Sequence, residues 1–275
     1  MKNYKFWLCL CLVSALLLGG CAPQQSQPPE TTAPVQTTQP TTEETTAATT
    51  EETTVPALEI LEFGYDGDYL TCLSRQSILG IDVSKYQGEI DWQKVKAAGV
   101  EFVMIRIGYR GYGQAGTLGT DAMAQENYQG AKEAGLKVGG YFFSQAITTE
   151  EAIEEAQYVM NIIDSWQLDM PLVYDWECLA EDYRTMGVDA RLLTDCTKAF
   201  CDTVKDAGYD PMIYYNPDQS CKQMYMDELE QYGLWLAKYT PYPDFPYPIH
   251  MWQYTNQGSV PGIQGNVDIN LYFPT

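Results

Sequence analysis

The sequence predicts an α/β fold, an irregular TIM-like β/α barrel of eight strands with about five helices over residues 80–275. Three observations carry that expectation. Strand-like and helix-like stretches alternate from Gly80 onward, helix-like stretches stop after Tyr232 while strand-like ones continue, and acidic residues stand on the ends of several strands. A parallel β/α series this long tends to curl shut, and its site then lies at the C-terminal ends of the strands.

The elements follow in order. Ile81-Asp-Val-Ser reads as a short strand, and Asp91 caps an amphipathic run that Gly99 can end. Phe102–Gly108 is a continuous apolar run of the kind buried on both faces. Asp121–Gly135 reads as helix and Leu136–Ser144 as strand. Thr149–Trp166 has a cap, acids in its first turn and helical apolar spacing. Pro171–Glu177 is the next strand, Val188–Gly208 a helix, Pro211–Asn216 a strand and Pro217–Tyr232 a helix. Leu234–Tyr239, Ile249–Tyr254 and Val267–Asn270 then follow as strands with no room for helices between them.

Ahead of the barrel the chain changes character twice. Lys2 and Lys5 precede an apolar stretch from Phe6 to Leu18, so residues 1–20 have the layout of a signal peptide. Leu18-Gly-Gly-Cys21 resembles a bacterial lipobox, which makes Cys21 the expected lipidation site and a membrane anchor outside the cytoplasm; the alternative is an ordinary cleavage site beside an incidental cysteine. Residues 21–56 continue as a Thr/Pro-rich stretch with nothing to bury, expected to be disordered. Its reach is about 33 Å as a coil and about 110 Å if extended. Residues 57–79 carry apolar residues but no motif, and are expected to pack on the domain as an N-terminal extension.

Charge limits the partners. The formal net charge is −21; residues 1–57 hold two Lys against five Glu, a balance of −3, so the remainder carries −18. Such a surface repels nucleic acid. The single histidine, His250, and the absence of any C-x-x-C pair leave no metal-ligand spacing, and no cofactor motif is present. Cys72, Cys178, Cys196, Cys201 and Cys221 allow at most two disulfides, and Cys196 and Cys201 are badly spaced for one. The chain is expected to act as a monomer.

The candidate chemistry is carboxylate chemistry. In Pro171-Leu-Val-Tyr-Asp-Trp-Glu177, alternation puts Asp175 and Glu177 on one face of a strand at its C-terminal end. An isolated Asp-x-Glu is more often just a strand leaving for solvent. Here Asp82 stands on the first strand and Asp268 on the last, which a closed barrel makes neighbours, so four acids converge on one mouth. Crowded carboxylates repel, keeping at least one protonated as a proton donor. Tyr141, Tyr215, Trp235 and Trp252 stand at strand ends as candidate sugar platforms, the alternative for each being barrel filling.

Several ordered motifs then resemble the glycoside hydrolase family 25 lysozymes, the muramidases of the Chalaropsis or cellosyl type. They are Gly80-Ile-Asp-Val-Ser-Lys-Tyr-Gln-Gly88, Ile90-Asp-Trp92, Phe102-Val-Met-Ile-Arg106, Tyr174-Asp-Trp-Glu177, Leu234-Trp-Leu-Ala-Lys-Tyr239, Trp252-Gln-Tyr254 and Gly262–Asn270. The resemblance implies a barrel with an incomplete helical ring that cleaves the β-1,4 bond from N-acetylmuramic acid to N-acetylglucosamine in peptidoglycan glycan strands. It implies Glu177 as general acid, Asp175 as companion carboxylate, and Asp82 and Asp268 as the other acids of the cleft. Asp175 would either attack the anomeric carbon or orient the substrate's 2-acetamido group to attack. Family members often carry a His where this chain has Phe142, a departure expected to alter the rim. Two rival readings remain open on the residues: a chitinase-like glycosidase, whose barrel also ends a middle strand in Asp-x-Glu, and an inactive glycan-binding protein of the cell wall.

Overall fold

The computed structural model describes residues 61–178, 184–218 and 223–274. The expected signal peptide, Cys21 and the Thr/Pro-rich stretch lie outside the described residues, as does Cys221. The described chain opens with an antiparallel hairpin, β1 (Phe63–Asp66) and β2 (Tyr69–Cys72), turned at Gly67 with φ 59°. Then follow β3 (Ile78–Val83), α1 (Trp92–Ala97), β4 (Phe102–Arg110), β5 (Leu118–Thr120), α2 (Ala124–Glu133), β6 (Lys137–Ser144), α3 (Thr149–Ile162) and β7 (Leu172–Trp176). The remainder is α4 (Ala190–Asp206), β8 (Pro211–Tyr215), β9 (Gly233–Ala237), β10 (Met251–Gly258) and β11 (Val267–Tyr272).

Eight of these strands close a barrel in the order β3, β4, β6, β7, β8, β9, β10, β11, with β11 returning to β3. Strands β3 to β10 run parallel around it, whereas β11 is antiparallel to both β10 and β3. That reversal follows from the short β10–β11 connection, since a parallel neighbour would need a long crossover. The short β5 adds an antiparallel edge to β4 that the alternation of the sequence did not suggest.

Helix starts show the chemistry of their caps. Asp91 accepts from Lys94 N at 3.2 Å, Thr148 from Glu151 N at 3.2 Å and Asp189 from Leu192 N at 2.8 Å. The described residues contain four α-helices, not five. Within the stretch expected as the fifth, Pro217–Tyr232, they form only a 3-10 turn at Met226–Glu228. Partners on α4 hold that turn instead of an i→i−4 ladder: Tyr225 N donates to Thr194 Oγ1 at 3.0 Å, and the Arg191 guanidinium grips both oxygens of Glu228.

The layers follow the alternation of each strand. Ile81, Val103, Ile105, Val138, Phe142, Leu172, Tyr174 and Ile213 face outward into the main core beneath the helices. Phe102, Met104, Val173, Met212, Trp235 and Met251 fill the barrel interior. Gly80 makes room for this filling, because a Cβ there would lie 2.2 Å from the Phe102 ring. Among the described residues no α-helix follows β8, so the outer wall of β10 and β11 would be bare. The hairpin covers it: Leu70 and Cys72 pack on Trp252, Leu271 and Phe273, with Phe63 edge-on to Trp252 at 4.9 Å.

Candidate active site

The four acids meet at one mouth. Asp82 lies near the C-terminal end of β3 and pairs directly across the ladder with Asp268, which sits near the start of the reversed strand β11. Reversal is what brings them level, because the N-terminal end of an antiparallel strand lies beside the C-terminal ends of its neighbours. Asp82 Oδ2 accepts from Gln253 Nε2 at 2.8 Å and Asn270 Nδ2 at 2.9 Å. Burial pushes both carboxyls above the ordinary carboxylate range, and the charge of Asp82 raises Asp268 further.

Asp175 and Glu177 form the second pair. Asp175 is the fourth residue of β7 and is buried, while Glu177 lies just past the strand end and is half-buried. Burial is the first cause that lifts both above their ordinary values, and the negative charge of Asp82 adds to each. Their mutual hydrogen bond favours the proton on Asp175 in the substrate-free cleft, and Asp175 Oδ1 is buried with no partner among the described residues. Arg106, on the same inner face, lowers both; it is itself held by Asp121, with Nε 2.8 Å and Nη2 2.6 Å from Asp121 Oδ2. Four crowded acids, with the Arg106 guanidinium acting on Asp175 and Glu177 alone, cannot all ionise.

The end of β7 is clamped from β6. Gln145 Nε2 donates to the carbonyl of Glu177 at 2.5 Å and to that of Ser144 at 2.8 Å, while Trp176 Nε1 donates to Ala146 O at 3.0 Å. Behind them Ser144 Oγ donates to Glu155 Oε2 at 2.6 Å and is hydrogen-bonded to the Tyr174 hydroxyl at 3.0 Å. Arg110 Nε in turn lies 2.7 Å from Glu155 Oε1. This buried network fixes the backbone that carries both acids.

The expected sugar platforms divide. Tyr141 is inside the barrel, its ring edge-on to Trp235 at 6.0 Å, and it feels the charges of Asp82, Asp175 and Asp268. Trp235 is an interior residue but only 1 % exposed, its indole donating to Asn270 Oδ1 at 2.8 Å, so it fills the barrel. Trp252 corrects the expectation outright: it points to the outer wall, 0 % exposed, beneath the hairpin. Tyr215 also faces away from the interior, toward Phe245 at 5.9 Å; the inward residue of β8 is Tyr214, which pairs with Trp235. Phe142 likewise is not at the rim but faces outward against Tyr158 at 6.3 Å. A one-residue difference in register moves a side chain across the sheet, and the apolar run of β8 offers no polar alternation to fix it.

Several residues at the site were missed. Tyr214 feels the charges of Glu177, Asp175 and Asp82, and Tyr239 those of Asp268, Asp82 and Glu177. Tyr239 Oη donates to Gln253 Oε1 at 2.8 Å. Gln253 and Asn270 carried a signal, since each stands inside one of the late-strand motifs and Asn270 follows Asp268 at i+2. Among the cysteines, Cys72, Cys196 and Cys201 are buried thiols, and Cys178 is disulfide-bonded with a partner outside the described residues.

The chain is 30% identical over 198 residues to an autolytic lysozyme of Clostridium acetobutylicum, covering 70% of this chain and 55% of that protein. It is 26% identical over 205 residues to lysozyme M1 of Streptomyces globisporus, covering 71% and 67%. It is 28% identical over 148 residues to an N,O-diacetylmuramidase of Chalaropsis, covering 51% and 67%. Among solved structures, the modular autolysin LytC of Streptococcus pneumoniae superposes with a TM-score of 0.63 at 26% identity, over 72% of this chain and 47% of that one. A family 25 glycosyl hydrolase from Bacillus anthracis gives 0.59 at 22% identity, over 72% and 89%, a likeness of fold. This chain thus spans about half the length of the clostridial lysozyme and of LytC. The profile of Glycosyl hydrolases family 25 matches residues 81–263, and the chain belongs to that family.

Proposed function

We propose that this protein is a peptidoglycan hydrolase, an N-acetylmuramidase that cuts the β-1,4 bond between N-acetylmuramic acid and N-acetylglucosamine. The observation that carries the reading is the ring of four carboxyls on β3, β7 and β11, all raised above their ordinary values at one mouth. Membership of family 25 and kinship with proteins named lysozyme and muramidase support the same substrate.

In this reading Glu177 protonates the glycosidic oxygen. Asp175 and Glu177 are hydrogen-bonded to one another, whereas a nucleophile and an acid that flank a scissile bond stand about 5–5.5 Å apart. Their contact therefore favours attack by the substrate's own acetamido oxygen, with Asp175 receiving the acetamido N–H and stabilising the positive charge that forms there. Binding of that N–H to ionised Asp175 pushes the shared proton onto Glu177, where it is needed. After departure of the leaving sugar, Glu177 is the base that takes a proton from the water opening the ring intermediate, which returns it to its starting state. Asp82, oriented by Gln253 and Asn270, and Asp268 beside it keep negative charge near the anomeric centre.

We further infer that the enzyme works outside the cytoplasmic membrane on a lipid carried by Cys21, with residues 21–56 as its tether. The signal-like start, Leu18-Gly-Gly-Cys21 and the Thr/Pro-rich composition support this. Digestion of purified peptidoglycan, with mass spectrometry of the products, tests the central claim. Muramic acid at the new reducing ends is expected; glucosamine there, or intact glycan, overturns it.

A further inference from the structure

Between the hairpin and the wall of β10 and β11 runs a groove of about 1420 Å³, open along one side of the barrel. The hairpin residues 63–72 fall outside the family match at 81–263, so one wall of this groove comes from a segment outside that match. Its lining includes Tyr65, Asp66, Asp68, Tyr239 and Tyr254. Tyr65 is 76% exposed and Tyr239 37% exposed, a waste of aromatic area unless something covers it. Tyr69 is held for structure instead, its hydroxyl donating to Ser259 O at 3.2 Å.

The groove meets the acidic site through Tyr239. Tyr239 lines it and also donates to Gln253 Oε1 at 2.8 Å, while Gln253 Nε2 donates to Asp82 at 2.8 Å. Tyr239 therefore stands between the acids and the groove, where a polymer held at both would pass. The lining suits a hydroxyl-rich ring: flat faces with polar edges to stack on, and the exposed carboxylates of Asp66 and Asp68 to accept from hydroxyls. It does not suit the chain's own N-terminal stretch, since residues 22–60 carry six Glu and no Lys or Arg and would meet Asp66, Asp68 and Glu101.

We propose that this groove is a second glycan-binding site, which holds the peptidoglycan strand beyond the cleft and rests on the muramidase reading above. Two linked sites on one strand raise effective concentration, so the gain appears on long insoluble glycan and not on short fragments.

The test uses the full chain carrying Glu177→Gln, so that glycan is bound but not cut, in cosedimentation with insoluble peptidoglycan. Adding Tyr65→Ala is expected to weaken binding at least about fivefold, and Tyr65→Phe, which keeps the ring, to stay within about twofold of the parent. In the otherwise native chain, Tyr65→Ala is expected to slow digestion of insoluble walls while short soluble glycan fragments are cut as before. Equal binding by the Tyr65→Ala and parent proteins overturns the groove and leaves the muramidase reading intact. Failure of the native chain to cut either substrate overturns both.

Discussion

Asp82 and Asp268 stand directly opposite one another across the seam where the barrel closes, both carboxyls raised above the ordinary range by burial. Two ionised carboxylates in that position would repel in a poorly solvated site. Their folded-state pKa values lie above the unfolded ones, so the stability associated with each is full below the ordinary carboxylate range and is lost as pH rises through the raised value. Asp268→Asn removes the clash and keeps a hydrogen-bond donor to Asp82. Thermal unfolding of the native protein should occur at lower temperature at pH 8 than at pH 5, and the variant should narrow that gap. An unchanged gap would show that the seam charge is relieved in some other way.

Glu177→Gln should preserve the fold while removing the proton donor, a contribution typically worth about 10²- to 10⁴-fold. Wall-lysis rate with a matched thermal melt checks it. Asp175→Asn should also reduce turnover strongly, and addition of azide should restore little in that variant if, as proposed, the acetamido group and not Asp175 attacks. Near-native lysis by folded Glu177→Gln would transfer the donor role to another of the four acids.

The pH profile of turnover has a defined direction. Asp175 and Glu177 are raised chiefly by burial and then by neighbouring negative charge, and the reaction needs one proton on the pair. Rate should therefore fall as pH rises through a titration displaced above the ordinary carboxylate range. Arg106→Gln removes the charge that lowers both groups, and should move this limb to higher pH. A shift to lower pH would rule out that electrostatic role.

Arg110 is 4% exposed and serves Glu155, Glu154, Gly116 O and Glu151 O, at 2.7, 2.7, 2.9 and 3.0 Å. Arg110→Ala leaves Glu155 buried without its cation, which costs about 3–5 kcal/mol. Urea unfolding should show that loss, and the loosened Ser144–Gln145 clamp should lower turnover as well. Arg110→Ala combined with Glu155→Leu should recover much of the stability, since the stranded charge is then gone.

Cys21→Ala should release the protein from the membrane fraction if Cys21 bears lipid. Fractionation and mass spectrometry of the mature N-terminus decide this, and an unmodified N-terminus in the native protein removes the anchor from the proposal.

Much of the site could be read from local sequence because strands report their faces by period two. Asp175 and Glu177 needed only that alternation, and Asp82 and Asp268 needed only the idea that first and last strands meet. Cap residues such as Asp91 and Asp189 were equally local. The fifth helix was misjudged because Pro217–Tyr232 has helical composition, yet its described residues take their hydrogen bonds from α4, a choice made by neighbours far along the chain.

By itself the sequence determined the barrel class, the family and the four acids, since each depends on residue type and short-range spacing. Only the tertiary structure decided that β11 runs backward to set Asp268 level with Asp82, that Tyr214 and not Tyr215 faces the acids, and that Trp252 lies under the hairpin. β11 reverses because its link to β10 is too short for a parallel crossover. For the two side chains the reason is packing: which face of a buried strand looks inward is set by what covers each face, and the apolar run Pro211–Tyr215 carries no local mark of it.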